Sequence, residues 1–243
     1  MFNWAHKSST KSLIETLSVD MHSHLLEGID DGVQSLRHAE EIICHFQQLG
    51  YTKLITTPHV ISDSYLNTPE IIREKLSELH AYLKRVNLDV EIEAAAEYYL
   101  DDYVFRRIEQ DKEMLTFGNK YLLFETNFLT EPLNLKEFIF MASVKGYKLV
   151  LAHPERYQYI WNDIDKATEL MDRGVLLQIN INSIVGHYGS QIQGVAKKLI
   201  DRGCVNFLGT DCHHMQHALL IEQAQSNKYF HKALALPLLN NTL

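Results

Sequence analysis

Cysteine is scarce in this chain of 243 residues. Cys44, Cys204 and Cys212 make an odd number and form no C-x-x-C pair, which argues against a disulfide framework and for a reducing compartment. Excess basic charge is also missing. The 23 Lys+Arg stand against 31 Asp+Glu, a net −8, and a general nucleic-acid binder needs a basic face for the phosphates. No apolar run approaches the roughly 18–20 residues of a membrane span, so no integral membrane segment is expected. Met1–Ser18 carries Lys7 and Lys11 but no continuous apolar stretch. It is not read as a secretory signal, and residues 1–17 are expected to form a surface segment of a cytoplasmic protein. The five prolines and eleven glycines gather into no linker, which leaves 1–243 as one expected domain.

Several chemical signatures are absent too. There is no G-x-x-x-x-G-K-[ST], no G-x-G-x-x-G after a strand and no H-E-x-x-H. The residues six positions beyond the three cysteines are Gly50, Thr210 and Ala218, so the cysteine-phosphatase pattern of Cys followed by Arg fails three times.

What the chain does have is 13 histidines and a repeated phrase: an amphipathic helical pattern, a glycine, then a short β-type run. Gly50, Gly146, Gly174 and Gly203 each occupy the middle of that phrase, the position where a left-handed residue closes a helix. Ile72, Leu76, Leu79, Leu83 and Val86 recur at helical spacing behind Thr68 and Pro69, a cap followed by a first-turn proline. Leu36, Ala39, Ile43, Phe46 and Leu49 mark another helix. Further helices are predicted over about 101–114, 131–145, 162–173, 189–202 and 215–230. Seven strands are predicted near 18–21, 52–57, 89–96, 120–125, 147–152, 175–181 and 204–210. Strands alternating with helices imply βαβ units and a parallel sheet. Seven units without a linker predict a barrel, with an open doubly wound sheet as the alternative. Either fold puts the site at the C-terminal strand ends.

Six of the seven predicted strand ends deliver His, Asp or Glu. The nine candidate ligands are His22, His24, Asp31, His59, Glu97, Glu125, His153, Asp211 and His213. Imidazole nitrogen and carboxylate oxygen suit Zn, Mn or Fe. His22-x-His24 on an extended segment points both rings to one side, and Asp211-x-His213 repeats the device. Nine ligands exceed one tetrahedral ion and fit two or three ions sharing a carboxylate. His6, His38, His45, His80, His187 and His231 are read as surface, loop or packed residues, while His214 and His217 lie beside the rim. Cys212 lies within the rim, where a bulky thiol adduct is expected to block access.

At these residues the sequence resembles the PHP (polymerase and histidinol phosphatase) superfamily. It is most similar to the metal-dependent protein-tyrosine phosphatases of bacterial capsule and exopolysaccharide gene clusters. The shared segments are Asp20-Met21-His22-Ser23-His24-Leu25, Gly28-Ile29-Asp30-Asp31-Gly32, Thr57-Pro58-His59, Ala96-Glu97-Tyr98-Tyr99, Phe124-Glu125, Ala152-His153-Pro154-Glu155-Arg156-Tyr157 and Asp211-Cys212-His213. The resemblance implies a distorted seven-stranded α/β barrel of the TIM-like PHP type holding up to three divalent ions, with Mn²⁺ the expected metal and Fe or Zn the alternatives. It implies one ion on His22, His24, Glu97 and Asp211, a second on Glu125 and His153 bridged by Glu97, and a third on Asp31, His59 and His213. Glu97 and Asp211 are accordingly counted with the catalytic residues. Arg156 matches a phosphate-binding arginine. The chain departs from the pattern at Glu27, where the family has Pro, at His214, where it has Asn, and at Ala218, where it has Arg. Either His217 beside Ala218 substitutes in substrate binding, or Arg156 and the metals suffice.

The expected activity is phosphomonoester hydrolysis on a phosphotyrosine-bearing protein, the tail of a bacterial tyrosine autokinase that regulates capsule synthesis. The alternatives are a small-molecule phosphatase of the histidinol-phosphatase kind, a phosphodiesterase, or a non-enzymatic metal-binding regulator.

Overall fold

A computed structural model describes residues 17–243. The strands and α-helices, in chain order, are β1 (Val19–Asp20), α1 (Leu36–Gln48), β2 (Lys53–Thr56), β3 (His59–Val60), α2 (Pro69–Arg85), β4 (Glu91–Ala94), β5 (Glu97–Tyr99), α3 (Asp102–Glu109), β6 (Tyr121–Glu125), α4 (Leu135–Val144), β7 (Lys148–Ala152), α5 (Gln158–Asn162), α6 (Asp165–Asp172), β8 (Leu176–Asn180), α7 (Ile181–Ile184), α8 (Ser190–Asp201), β9 (Phe207–Gly209), α9 (Met215–Ala224) and α10 (Lys228–Leu234). Of the expected surface segment, residues 1–16, His6 among them, lie outside the described residues. Leu17 is buried in the core rather than exposed.

Each of the seven predicted strand runs holds a strand, and two of them are followed by a further short strand that the sequence reading did not include. Pro58 has no N–H to give a ladder and separates β2 from β3. Ala95 and Ala96 separate β4 from β5 in step with it. The result is two sheets, β1-β2-β4 and β3-β5-β6-β7-β8-β9, with every strand pair parallel. Backbone bonds span the breaks: the Ala95 N–H donates to Thr56 O (2.9 Å) and the Glu97 N–H to Pro58 O (3.1 Å). A parallel bridge joins Ser23 to Cys212, linking the segment after β1 to the segment after β9.

Alternation along the strands sorts the apolar residues into two clusters. Val19, Met21, Ile55, Ala95, Leu123, Val150, Ala152 and Phe207 pack together on one side. Their neighbours Leu54, Leu122, Phe124, Leu149, Leu151 and Leu208 pack with the helices on the other. Burial of both faces accounts for the continuous apolar runs in β6 and β7.

Helix α2 forms where its pattern indicates. The Thr68 hydroxyl accepts the Ile71 N–H, Pro69 opens the first turn, and Ile72, Leu79 and Leu83 are buried. The four phrase glycines all adopt positive φ, between +71° and +99°. Other helices are shorter than predicted, and local polar chemistry explains it. The Asn227 side chain accepts the Tyr229 N–H and starts α10 afresh, splitting the run predicted over 215–230. The Asp163 carboxylate accepts the Asp165 N–H at 3.2 Å between α5 and α6. Asp111, at φ +55°, lies just past the end of α3. No described helix is long and apolar enough to cross a membrane.

Candidate metal centre

All nine candidate ligands lie at the C-terminal edge of the parallel strands. His22, His24 and Asp31 follow β1, His59 follows β2 and begins β3, Glu97 follows β4 and begins β5, Glu125 ends β6, His153 follows β7, and Asp211 and His213 follow β9. His153 and Asp211 have φ of +35° and +50°. Left-handed backbone at non-glycine residues costs of order 1–3 kcal/mol and gathers at functional sites. Here it turns two ligand side chains at strand ends.

Eight of the nine fall into three overlapping groups whose donor atoms lie within 4.8 Å of one another: His24, Asp31, His59 and His213; His22, His24, Glu97 and Asp211; His59, Glu97 and Glu125. Metal–ligand bonds of ~2.0–2.1 Å place neighbouring ligand atoms roughly 3.0–3.4 Å apart. Glu97 Oε2 lies 3.2 Å from His22 Nε2 and 3.1 Å from His59 Nδ1, and Asp211 Oδ1 lies 3.3 Å from His24 Nε2. The ninth, His153, places Nε2 3.0 Å from Glu97 Oε1 and 3.9 Å from Glu125 Oε2. The groups are less separate than the resemblance implies, because His24 also reaches the Asp31 group and His59 also reaches Glu97 and Glu125. His59 Nδ1 is buried and has no hydrogen bond, although two carboxylates face it. A cation between them satisfies that atom, so the donor set fits divalent metal.

A second layer aims the ligands. His24 Nδ1 meets Asp30 Oδ2 at 2.8 Å, leaving Nε2 for the cluster. Asp30 also accepts the N–H groups of His59 and Gly32. Gly32 is required for space, since a Cβ there would run into the His24 backbone and Asp30 Oδ1. His213 Nδ1 lies 2.9 Å from the Asp211 carbonyl.

Above the cluster opens a cavity of about 530 Å³. Arg156 enters its wall with Nη1 3.1 Å from Asp211 Oδ2 and its guanidinium between the rings of Phe128 (4.7 Å) and Tyr188 (4.6 Å). Tyr65 and Tyr99 add two more aromatic walls.

The family model for capsular polysaccharide synthesis proteins of the CpsB/CapC type matches residues 18–232. The chain belongs to the CpsB/CapC family. It is 29% identical over 195 residues to the CapC protein of Staphylococcus aureus, covering 80% of this chain and 76% of that one. It is 27% identical over 214 residues to the tyrosine-protein phosphatase YwqE of Bacillus subtilis, covering 84% and 83%. Among solved structures, one from the pair YwqE of Bacillus subtilis and CpsB of Streptococcus pneumoniae, described as metal-dependent tyrosine phosphatases, superposes with a TM-score of 0.76. That match has 24% identity and covers 90% of this chain and 94% of that one.

One expectation changes in this CpsB/CapC-family chain, and two departures from the family pattern gain a place in the structure. Cys212 is fully buried and burial pushes its thiol well above the ordinary range, so it lies beneath the rim and an adduct that blocks access is no longer expected. Ala218 is fully buried in the core on α9 and does not line the cavity. Ala218→Arg is expected to destabilise the fold by about 4 kcal/mol or more, through overpacking and a buried charge. The shift of the denaturant midpoint checks it. His217 does line the cavity, but burial and the neighbouring His214 and His213 push it down to about 4. It brings a neutral ring and no cationic fork.

The electrostatics of the cluster predict a coupling between protons and metal. Burial works to lower His22, His59 and His213, yet the facing carboxylates outweigh it and push them up to about 9, 10 and 9. Asp31 is lowered to about 2, first by its bond to His213. Glu97 and Asp211 also fall well below the ordinary range, the nearby histidines prevailing over burial. In metal-free protein the histidines therefore stand in for cations. Their stabilisation is complete below ~6.5 and is lost as pH rises through about 9 to 10; the carboxylate contribution is lost only as pH falls below ~4. Chelator-stripped protein is expected to lose thermal stability between pH 7 and 10. Adding Mn²⁺ to it in weak buffer is expected to release protons. A flat melting profile and no acidification would contradict this account.

Proposed function

We propose that this chain is a metal-dependent phosphomonoester hydrolase that dephosphorylates tyrosine in a partner protein. The observation that carries the reading is the convergence of three overlapping ligand groups beneath one cavity, with Arg156 at its wall. The names of the relatives supply the substrate class. When bound, divalent ions offset charge on phosphoryl oxygens and bring the acidity of water toward neutrality. His22, His24, Asp31, His59, Glu97, Glu125, His153, Asp211 and His213 are assigned to holding them, up to three in number, with Mn²⁺ the proposed metal. The Arg156 guanidinium keeps a planar donor fork for phosphoryl oxygens, since its one bond to Asp211 leaves other N–H groups free. Tyrosine, with a pKa of ~10, leaves with less acid assistance than an alkyl alcohol.

The finer architecture is part of the same proposal. The Ser23–Cys212 bridge and the sorting of strand residues into an inner and an outer cluster support a distorted seven-stranded barrel forming one domain. The three free cysteines are consistent with a cytoplasmic location. The proposed partner is the tyrosine-rich tail of a bacterial tyrosine kinase.

A metal-by-substrate panel on the purified protein tests the reading. Phosphotyrosine peptide should be turned over, chelation should abolish turnover, Mn²⁺ should restore it, and thiol reagents should leave it unchanged. Preference for histidinol phosphate would reassign the substrate. Absence of metal-dependent turnover of any ester would leave a binding protein.

A further inference from the structure

Strand β8 reaches the same edge as its neighbours yet ends without His, Asp or Glu. It presents two fully buried amides instead, Gln178 and Asn180. Their orientation follows from what surrounds them. The His153 backbone N–H can only donate, and it points at Gln178 Oε1 (3.3 Å). Gln178 Nε2 then donates to Asn180 Oδ1 (2.8 Å), and Asn180 Nδ2 donates to Asp211 Oδ2 (2.7 Å). The remaining contact, 2.9 Å between His22 Nδ1 and Gln178 Oε1, can be a hydrogen bond only if Nδ1 carries a proton.

Two consequences follow at the cluster. When His22 is neutral, as a ligand must be, its free lone pair is on Nε2, which faces Glu97 Oε2 and Asp211 Oδ1. Asp211 has Oδ2 engaged, which leaves Oδ1 toward His22 and His24. Gly209 is packed tightly against the relay: a Cβ there would lie 2.8 Å from Gln178 Nε2 and 2.8 Å from His22 Cβ.

We propose that Gln178 and Asn180 are positioning residues, a directional amide relay that selects the ligating nitrogen of His22 and the ligating oxygen of Asp211. Outer partners of metal ligands typically carry 10–100-fold in metal affinity. The proposal rests on the metal-binding reading of this site and adds to it a residue pair that contacts no metal.

The test is Mn²⁺ titration of chelator-stripped protein by competition, alongside the melting temperature of each stripped variant. Gln178→Met and the isosteric Asn180→Asp should each weaken Mn²⁺ about 10–100-fold. Gln178→Glu, which keeps an acceptor for the His22 Nδ1–H, should lose less than Gln178→Met. The double variant Gln178→Met/Asn180→Asp should lose less than the product of the single losses, because one chain of bonds is being cut twice. Wild-type affinity in both single variants overturns the relay and leaves the phosphatase reading standing. Equal losses in Gln178→Glu and Gln178→Met overturn the selection of the His22 nitrogen. Weakened Mn²⁺ binding in a protein that turns over no phosphate ester overturns the phosphatase reading and leaves the relay. A wild-type protein that binds no metal overturns both.

Discussion

Glu97→Ala should strip metal from two of the three ligand groups and lower kcat by about 10³-fold or more. Metal ions supply several kcal/mol of charge stabilisation to such reactions, and each 1.36 kcal/mol is a factor of ten. Glu97 is the hub of the cluster. Its fully buried carboxylate faces His22, His24 and His59 through Oε2 and His153 through Oε1. Removing it leaves these histidines facing one another with less negative charge between them. Asp31→Ala is the informative comparison, because Asp31 is half-exposed and belongs only to the outer group with His59 and His213. It should lose less metal and less activity. Elemental analysis and steady-state rates on Glu97→Ala and the isosteric Glu97→Gln decide the point. Wild-type metal content in both would refute the assignment.

Arg156→Ala should leave metal content intact and lower kcat/KM for a phosphotyrosine peptide by about 10²–10³-fold, the effect of removing one preorganised charge-stabilising donor. Metal is retained because the Asn180 amide still holds Asp211 Oδ2. Arg156→Lys should recover little, since a lysine cannot stack as a plane between Phe128 and Tyr188 while offering a two-pronged donor. Were Arg156 only a surface ion pair, its loss would cost ~0–1 kcal/mol of stability and nothing in catalysis. An unchanged kcat/KM would remove it from the site.

Eight of the nine candidate ligands were legible in the sequence as charged or imidazole side chains placed where an apolar run stops, alternation making His22-x-His24 and Asp211-x-His213 point together, while Asp31 was picked out by the family resemblance. Their convergence was legible as well, since parallel strands bring their C-terminal ends to one edge. What was not legible is uncharged or local. Gln178 and Asn180 look like ordinary polar residues in a strand, and only their burial beside His22 and Asp211 gives them meaning. Phe128 and Tyr188 lie in loops without periodicity, so nothing in the sequence aims them at Arg156. Asp30 and Asp31 are adjacent and alike, yet one orients His24 while the other faces the outer group. The helix boundaries failed where a side chain caps the backbone, as Asn227 does, because such bonds interrupt a pattern that hydrophobic spacing alone continues.

The spacing of the ligands along the chain has a consequence for biosynthesis. The first, His22, and the last, His213, are separated by most of the sequence, and the other seven are spread between them. A calcium loop gathers its ligands within a dozen residues and can load on a short peptide; this cluster has no such local form. A nascent chain that has not yet produced β9 lacks Asp211 and His213, and it presents His22, His24 and Glu97 with part of their set missing. Contacts of this sequence separation form late and slowly. Metal insertion is therefore expected to be a final step of maturation, the proposed ions being acquired by a chain that has already closed its sheets.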